Sequence, residues 1–251
     1  MVGIICAMTV EVEGIIAKMQ NPQCQFIAKM VFTSGTIGNT EVVAVECGVG
    51  KVNAAMCTQI MIDTYHPDVI VNSGVAGALD TSVTIGDTIV GTAVIQHDMN
   101  TSALGEPLGT ITIRESTMTS IPADTDTFEQ LAKACEECGV KYFEGKIATG
   151  DIFVASVAQR KKIYERFSAL ACEMEGAAVG HVCYRNEVNY GILRVISDDL
   201  TNSDGMDFVT FCKMAADKSI NVIIKFIENY LPPKDPCGNR PCTCGCGCSN
   251  N

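Results

Sequence analysis

The sequence predicts an α/β protein whose central sheet is covered by helices on both faces. Apolar runs of strand length, Val2–Met8 among them, are hydrophobic throughout rather than alternating, which marks strands buried on both sides. Segments with helical spacing fall between these runs. Of the 251 residues 47% are hydrophobic, enough for a sizeable core in one large domain. Neither an internal repeat nor a mid-chain linker interrupts the pattern. The compositional break falls at Pro232, so residues 1–231 read as one domain and 232–251 as a cysteine-rich tail.

Val2–Met8 is the first strand. Val12, Ile15, Ile16 and Met19 follow at helical spacing, with Pro22 expected to close that helix. Cys24–Thr33 and Glu41–Cys47 suit a hairpin around Gly38-Asn39. Gly48-Val49-Gly50 leads into a helix over Lys51–Tyr65, which His66-Pro67 breaks. The strand Asp68–Asn72 then runs into Gly74-Val75-Ala76-Gly77, expected to be a glycine-rich loop. Ile85–Ile95 is strand-like, and Gly105–Pro122, the least regular stretch, is suited to a flap. A helix over Asp126–Cys138 and a strand over Lys141–Thr149 come next. The helix Ser156–Phe167 opens with Ser156-Val157-Ala158-Gln159, the pattern of a reciprocal serine–glutamine cap. A helix from Glu175 to about Arg185, a strand over Tyr190–Ser197 and a long helix over Asp207–Tyr230 complete the domain.

A formal charge of −11 argues against a nucleic-acid or anionic-membrane partner. The N-terminus lacks the basic segment of a signal peptide, and no apolar run is long enough to span a bilayer, so a cytoplasmic protein is expected. Nine of the fourteen cysteines lie in apolar segments and read as buried, reduced small hydrophobes.

Acids stand where apolar runs end. Glu11 follows the first strand, Glu173 and Glu175 flank Met174 at a strand-to-helix junction, and Asp198 ends the strand that contains Arg194. Helix-start acids and turn residues would account for each of these singly. Arg194 is different, because an arginine inside a buried strand needs a carboxylate partner. Ligand sites of α/β folds gather at strand ends, where all these groups fall together.

Six ordered motifs give the chain a family resemblance. They are Gly3-Ile4-Ile5-Cys6-Ala7-Met8 with Glu11, Gly48 to Ala55, Asn72-Ser73-Gly74-Val75-Ala76-Gly77, Gly150-Asp151-Ile152-Phe153, Glu173-Met174-Glu175, and Arg194-Val195-Ile196-Ser197-Asp198. Over about residues 3–230 the sequence resembles the 5′-methylthioadenosine/S-adenosylhomocysteine nucleosidases of the nucleoside phosphorylase superfamily. The resemblance implies a three-layer α/β/α fold with a central mixed, twisted sheet, hydrolysis of an adenine–ribose bond, and neither a cofactor nor a metal. It makes Asp198, oriented by Ser197, the general acid at adenine, held protonated near neutral pH by burial. Glu11 becomes the base for the attacking water, with Arg194 nearby to hold the carboxylates. Glu175 would accept from the ribose hydroxyls, Met174 would pack under the sugar, and Glu173, Ala76 and Gly77 would line the site. Phe153 would stack on adenine and the Val154 backbone would bond its edge, while Met8, Val49 and Phe208 would line the alkylthio slot. His97–Leu104 resembles a segment contributed across a dimer interface, which implies a homodimer. Val75 stands where many members carry a serine near the water, and Leu104 where an aromatic is common.

Three readings compete. A phosphorolytic enzyme would need arginine forks for phosphate, but none of the six arginines precedes Arg114, and Lys51 is the only cation in the first three glycine motifs. A non-catalytic binding protein would be expected to have lost Glu11, Glu175 or Asp198. A sister nucleosidase for a menaquinone-pathway adenosine derivative would use the same residues. In the tail, Cys237, Cys242, Cys244, Cys246 and Cys248 suit either a redox-sensitive appendage or a soft-metal binder, and Cys135-Glu136-Glu137-Cys138 is read as incidental.

Overall fold

The computed structural model describes residues 1–200 and 210–233, and the backbone of 208 and 209. The cysteine-rich segment 237–248 therefore lies outside the described residues, as does the side chain of Phe208. In chain order the elements are β1 (Val2–Cys6), α1 (Thr9–Ile16), β2 (Gln20–Ile27), β3 (Met30–Ile37), β4 (Thr40–Glu46), α2 (Lys51–Tyr65) and β5 (Val69–Ala78). There follow β6 (Thr88–Gln96), β7 (Ile111–Ile113), β8 (Ser116–Met118), β9 (Ile121–Pro122), α3 (Thr125–Glu137) and β10 (Tyr142–Thr149). The last are α4 (Val157–Phe167), β11 (Ala169–Glu173), α5 (Gly176–Asn186), β12 (Asn189–Asp198) and α6 (Phe208–Glu228).

Most elements lie where hydrophobic periodicity predicts them, and the departures have local causes. Pro22 does not close α1, which ends at Ile16; it sits in the exposed strand β2 at the sheet edge, where a missing N–H costs no ladder bond. The stretch 24–33 is not one strand but parts of two, because Ala28 and Lys29 both take positive φ and turn the chain. The stretch Gly74–Gly77 is not a loop: β5 runs straight through it and pairs with β12 as far as Gly77. Ser156 is the residue before α4, yet its side chain makes no capping bond.

The main sheet runs β11-β10-β6-β12-β5-β1-β4-β3-β2, with β9 added on β6. β1, β4, β5 and β12 are mutually parallel, whereas β2 and β3 form antiparallel meanders at one edge. The other edge curls back, so that Ala171 and Cys172 of β11 pair with Ala78 and Gly77 of β5. This closure brings the ends of β5, β11 and β12 to one place. Helices α2 and α5 pack together on one face, over a core that includes Ile5, Phe32, Ile70 and Ile192. Helices α1, α3 and α6 cover the other, over Val2, Ile4, Val71 and Leu193. Adjacent residues of β1 thus feed opposite cores, which is why the strand is apolar at every position.

Candidate active site

The strand ends and the outer half of β5 enclose a cavity of about 240 Å³. Ala7 and Met8 after β1, Val49 after β4, Val75–Gly77 of β5, Ile152–Val154 after β10, Glu173–Glu175 after β11 and Ser197–Asp198 of β12 face it, with Glu11 and Arg160. Its walls are mostly apolar, and its polar side chains are the acids Glu11, Glu173, Glu175 and Asp198 with Arg160 and Ser197.

Glu11 is the third residue of α1 and is 3% exposed. Its Oε2 accepts from the amides of Ala7 (3.0 Å) and Met8 (2.9 Å), and its Oε1 accepts from Val75 N (2.9 Å). A Cβ on Gly74 would lie 2.5 Å from Oε1, so glycine is required there for the carboxylate to reach β5. Burial pushes the Glu11 carboxyl above its ordinary range, against the opposing pull of Arg194 and the three amides. A raised carboxyl is a stronger base than an exposed one.

Arg194 finds its partner in Glu173, at 2.5 Å, both side chains being almost fully buried. The guanidinium also donates to the Asn72 side chain, to Asn72 O and to Leu193 O. Glu173 Oε2 further accepts from the amides of Glu175 (3.0 Å) and Gly176 (2.7 Å), and Thr149 donates to its Oε1. Arg194 thus forms no ion pair with Glu11, Glu175 or Asp198 among the described residues. It acts on Glu11 and Glu175 at longer range, while Glu173 anchors the Glu-Met-Glu turn. Breaking a buried pair of this kind costs about 3–5 kcal/mol.

Glu175 precedes α5 and accepts from Gly50 N at 2.7 Å. Burial, followed by the charge of Glu173, pushes its carboxyl up to about 7. Lys51, next to Gly50, is tied to Asp98 (2.7 Å) and Gln96 (3.2 Å), and its amide donates to Asp151 (2.8 Å).

Asp198 accepts from Ser197 Oγ at 3.1 Å and is paired with Arg160 of α4, which is 4% exposed. Sequence reasoning missed Arg160. A signal existed, since Arg160, Ile163, Tyr164 and Phe167 share one helical face whose hydrophobic members pack under β11, a place where a lone cation demands a carboxylate. Ala7, Ile152 and Cys172 were also missed. Burial pushes the Cys172 thiol up to about 12, which makes it a neutral wall group rather than a nucleophile. Otherwise the predicted site residues converge: Met8, Glu11, Val49, Val75, Ala76, Gly77, Phe153, Val154, Glu173, Met174, Glu175, Ser197 and Asp198 all line the one cavity, and Arg194 stands behind it.

An apolar slot rimmed by carboxylates at the strand ends of a three-layer α/β/α sheet is the kind of place where folds of this class bind a small ligand with polar edges. The phosphorylase superfamily model matches residues 1–228. The 5′-methylthioadenosine/S-adenosylhomocysteine nucleosidase of Shewanella sediminis is 35% identical, over 90% of this chain and 98% of its own. The corresponding enzyme from Neisseria meningitidis, solved with methylthio-immucillin-A, superimposes with a TM-score of 0.85 at 28% identity, covering 91% of this chain and 99% of that one. Futalosine hydrolase of Helicobacter pylori gives 0.85 at 30% identity, with 91% and 97% covered. The chain belongs to the phosphorylase superfamily, in its 5′-methylthioadenosine/S-adenosylhomocysteine nucleosidase branch.

Proposed function

We propose that the protein hydrolyses the N-glycosidic bond of 5′-methylthioadenosine and S-adenosylhomocysteine, releasing adenine and the 5′-thio-ribose product. The observation that carries this is the placement of Glu11 and Asp198 over two glycines of one strand, Gly74 and Gly77, in a single cleft. Two carboxyl groups on a shared cleft are what cleavage of a glycosidic bond by water requires.

In this reading adenine lies against Phe153 and the Val154 backbone, with the sugar over Met174 and its hydroxyls donating to Glu175. Asp198, oriented by Ser197, delivers a proton to the five-membered ring of the base as the electrons of the C1′–N bond withdraw into it. Water, held by Glu11, adds to C1′ and gives Glu11 its proton. Val75 supplies an amide to Glu11 rather than a hydroxyl to the water. Met8 and Val49 flank the alkylthio group. The cations near the cleft are already engaged: Arg194 with Glu173, Lys51 with Asp98, Arg160 with Asp198. That arrangement favours water over phosphate as the nucleophile. Adenine release from both substrates, measured with and without phosphate, tests the proposal; equal rates are expected, and strict phosphate dependence would overturn it. The likeness to futalosine hydrolase motivates a futalosine arm in the same assay, where faster turnover would reassign the substrate.

The reading includes a homodimer. It is supported by exposed apolar side chains at the cleft mouth and beside it, Val49, Val52, Ile152 and Phe153. Sedimentation velocity should then give one species of twice the chain mass, and a monomer at micromolar concentration would remove this part. The superfamily match over 1–228 supports residues 1–231 as the catalytic unit. Nine unbridged cysteines among the described residues support a cytoplasmic location.

A further inference from the structure

Asp198 and Arg160 are brought together from distant parts of the chain, and the fold gives the pair a dedicated niche. The guanidinium is held on three sides, its Nε donating to Val154 O at 2.8 Å and its Nη1 to Ala78 O and Asp198 O, each at 3.4 Å. Nη2 is left to meet the Asp198 carboxylate. A Cβ on Gly77 would lie 2.9 Å from Asp198 Oδ2 and 3.3 Å from Arg160 Nη2, so the absence of a side chain at 77 leaves room for the pair. Among the described residues Arg160 is ion-paired with Asp198 and makes no such contact with Glu11 or Glu175.

We propose that Arg160 is a positioning residue for Asp198, receiving the carboxylate that remains each time the proton has gone to the leaving base. The inference rests on the nucleosidase reading and extends it. The proton moves from the Asp198 carboxyl to a ring nitrogen of the purine, and the C1′–N electron pair enters the base. The resulting Asp198 carboxylate then turns to Arg160 until solvent returns a proton. The contacts of Arg160 with Val154 O tie this resting position to the residue that borders the base, so the acid is reset at a fixed distance from where the next base will bind. A cation held this rigidly preserves geometry, and misplacement of a reacting group by about 1 Å can cost about a hundredfold in rate.

A double-mutant cycle decides it. Arg160→Gln should lower kcat for 5′-methylthioadenosine by on the order of 10- to 100-fold while KM changes by less than about threefold. In an Asp198→Asn background, assayed by single-turnover adenine release over hours, Arg160→Gln should change the residual rate by less than about twofold. The same factor in both backgrounds, or an effect confined to KM, would overturn the proposal and leave Arg160 a packing residue. Should Arg160→Gln fail to fold, Arg160→Lys takes its place in the cycle; it keeps the cation, and its loss of kcat must likewise vanish in the Asp198→Asn background. Failure of the underlying reading has its own signature, an Asp198→Asn enzyme with undiminished turnover.

Discussion

Gly74 and Gly77 each carry a carboxylate above a position where other residues carry Cβ, Gly74 inside β5 and Gly77 one residue from its end. Their conformation is ordinary, so their value lies in space rather than in backbone freedom. Gly74→Ala would put a methyl 2.5 Å from Glu11 Oε1 and 2.9 Å from its Cδ. Glu11 would have to leave the amides of Ala7, Met8 and Val75. The expected result is a loss of kcat on the order of a hundredfold, with the circular-dichroism spectrum unchanged; a variant with normal kcat would show that Glu11 does not need this position. The sequence made the residues of the site legible because each acid interrupts an apolar run. It did not make their pairing legible. Glu11, Glu173, Glu175 and Asp198 all stood at strand ends, and burial alone could not choose Glu173 over the others, while Arg160 lay in a helix otherwise rich in exposed Lys161, Lys162 and Glu165.

At the scale of elements, the buried strands and the long helices were legible because their periodicity reports burial directly. The β2–β3 hairpin was not, since β2 is exposed along most of its length and its turn uses Ala28 and Lys29 where such turns favour Asn-Gly. The chain accepts φ of 51° and 65° at these two residues. Each costs free energy that a turn-adapted residue would not. The double substitution Ala28→Asn, Lys29→Gly should therefore raise unfolding free energy by about 1 kcal/mol, read from the midpoint of urea denaturation, and leave adenine release unchanged. Loss of stability would mean that Ala28 or Lys29 makes contacts outweighing the strain. The glycines of β5 misled for a related reason, because Gly-x-x-Gly ordinarily signals a turn and here signals close approach of side chains.

For the whole molecule, placing several carboxylates in one cleft links stability to pH. Glu175 titrates near 7 when folded, against 4.5 as its reference, and burial moves Glu11 the same way. A raised carboxyl keeps its proton in the native state while the unfolded chain has already lost it. Its contribution is thus fully present below about pH 4.5 and disappears as pH rises through 7. The folded protein should lose on the order of 2 kcal/mol from this source between pH 5 and 8. Glu175→Gln keeps an acceptor for Gly50 N but cannot ionise, so it should remove most of that slope. Thermal unfolding of both proteins at half-unit steps of pH provides the comparison. The wild type should fall behind the variant progressively above pH 5, with the gap levelling off above 7. Parallel curves would mean that Glu175 enters the folded state already ionised, and that the sugar meets a standing carboxylate rather than one whose charge the ligand helps to stabilise.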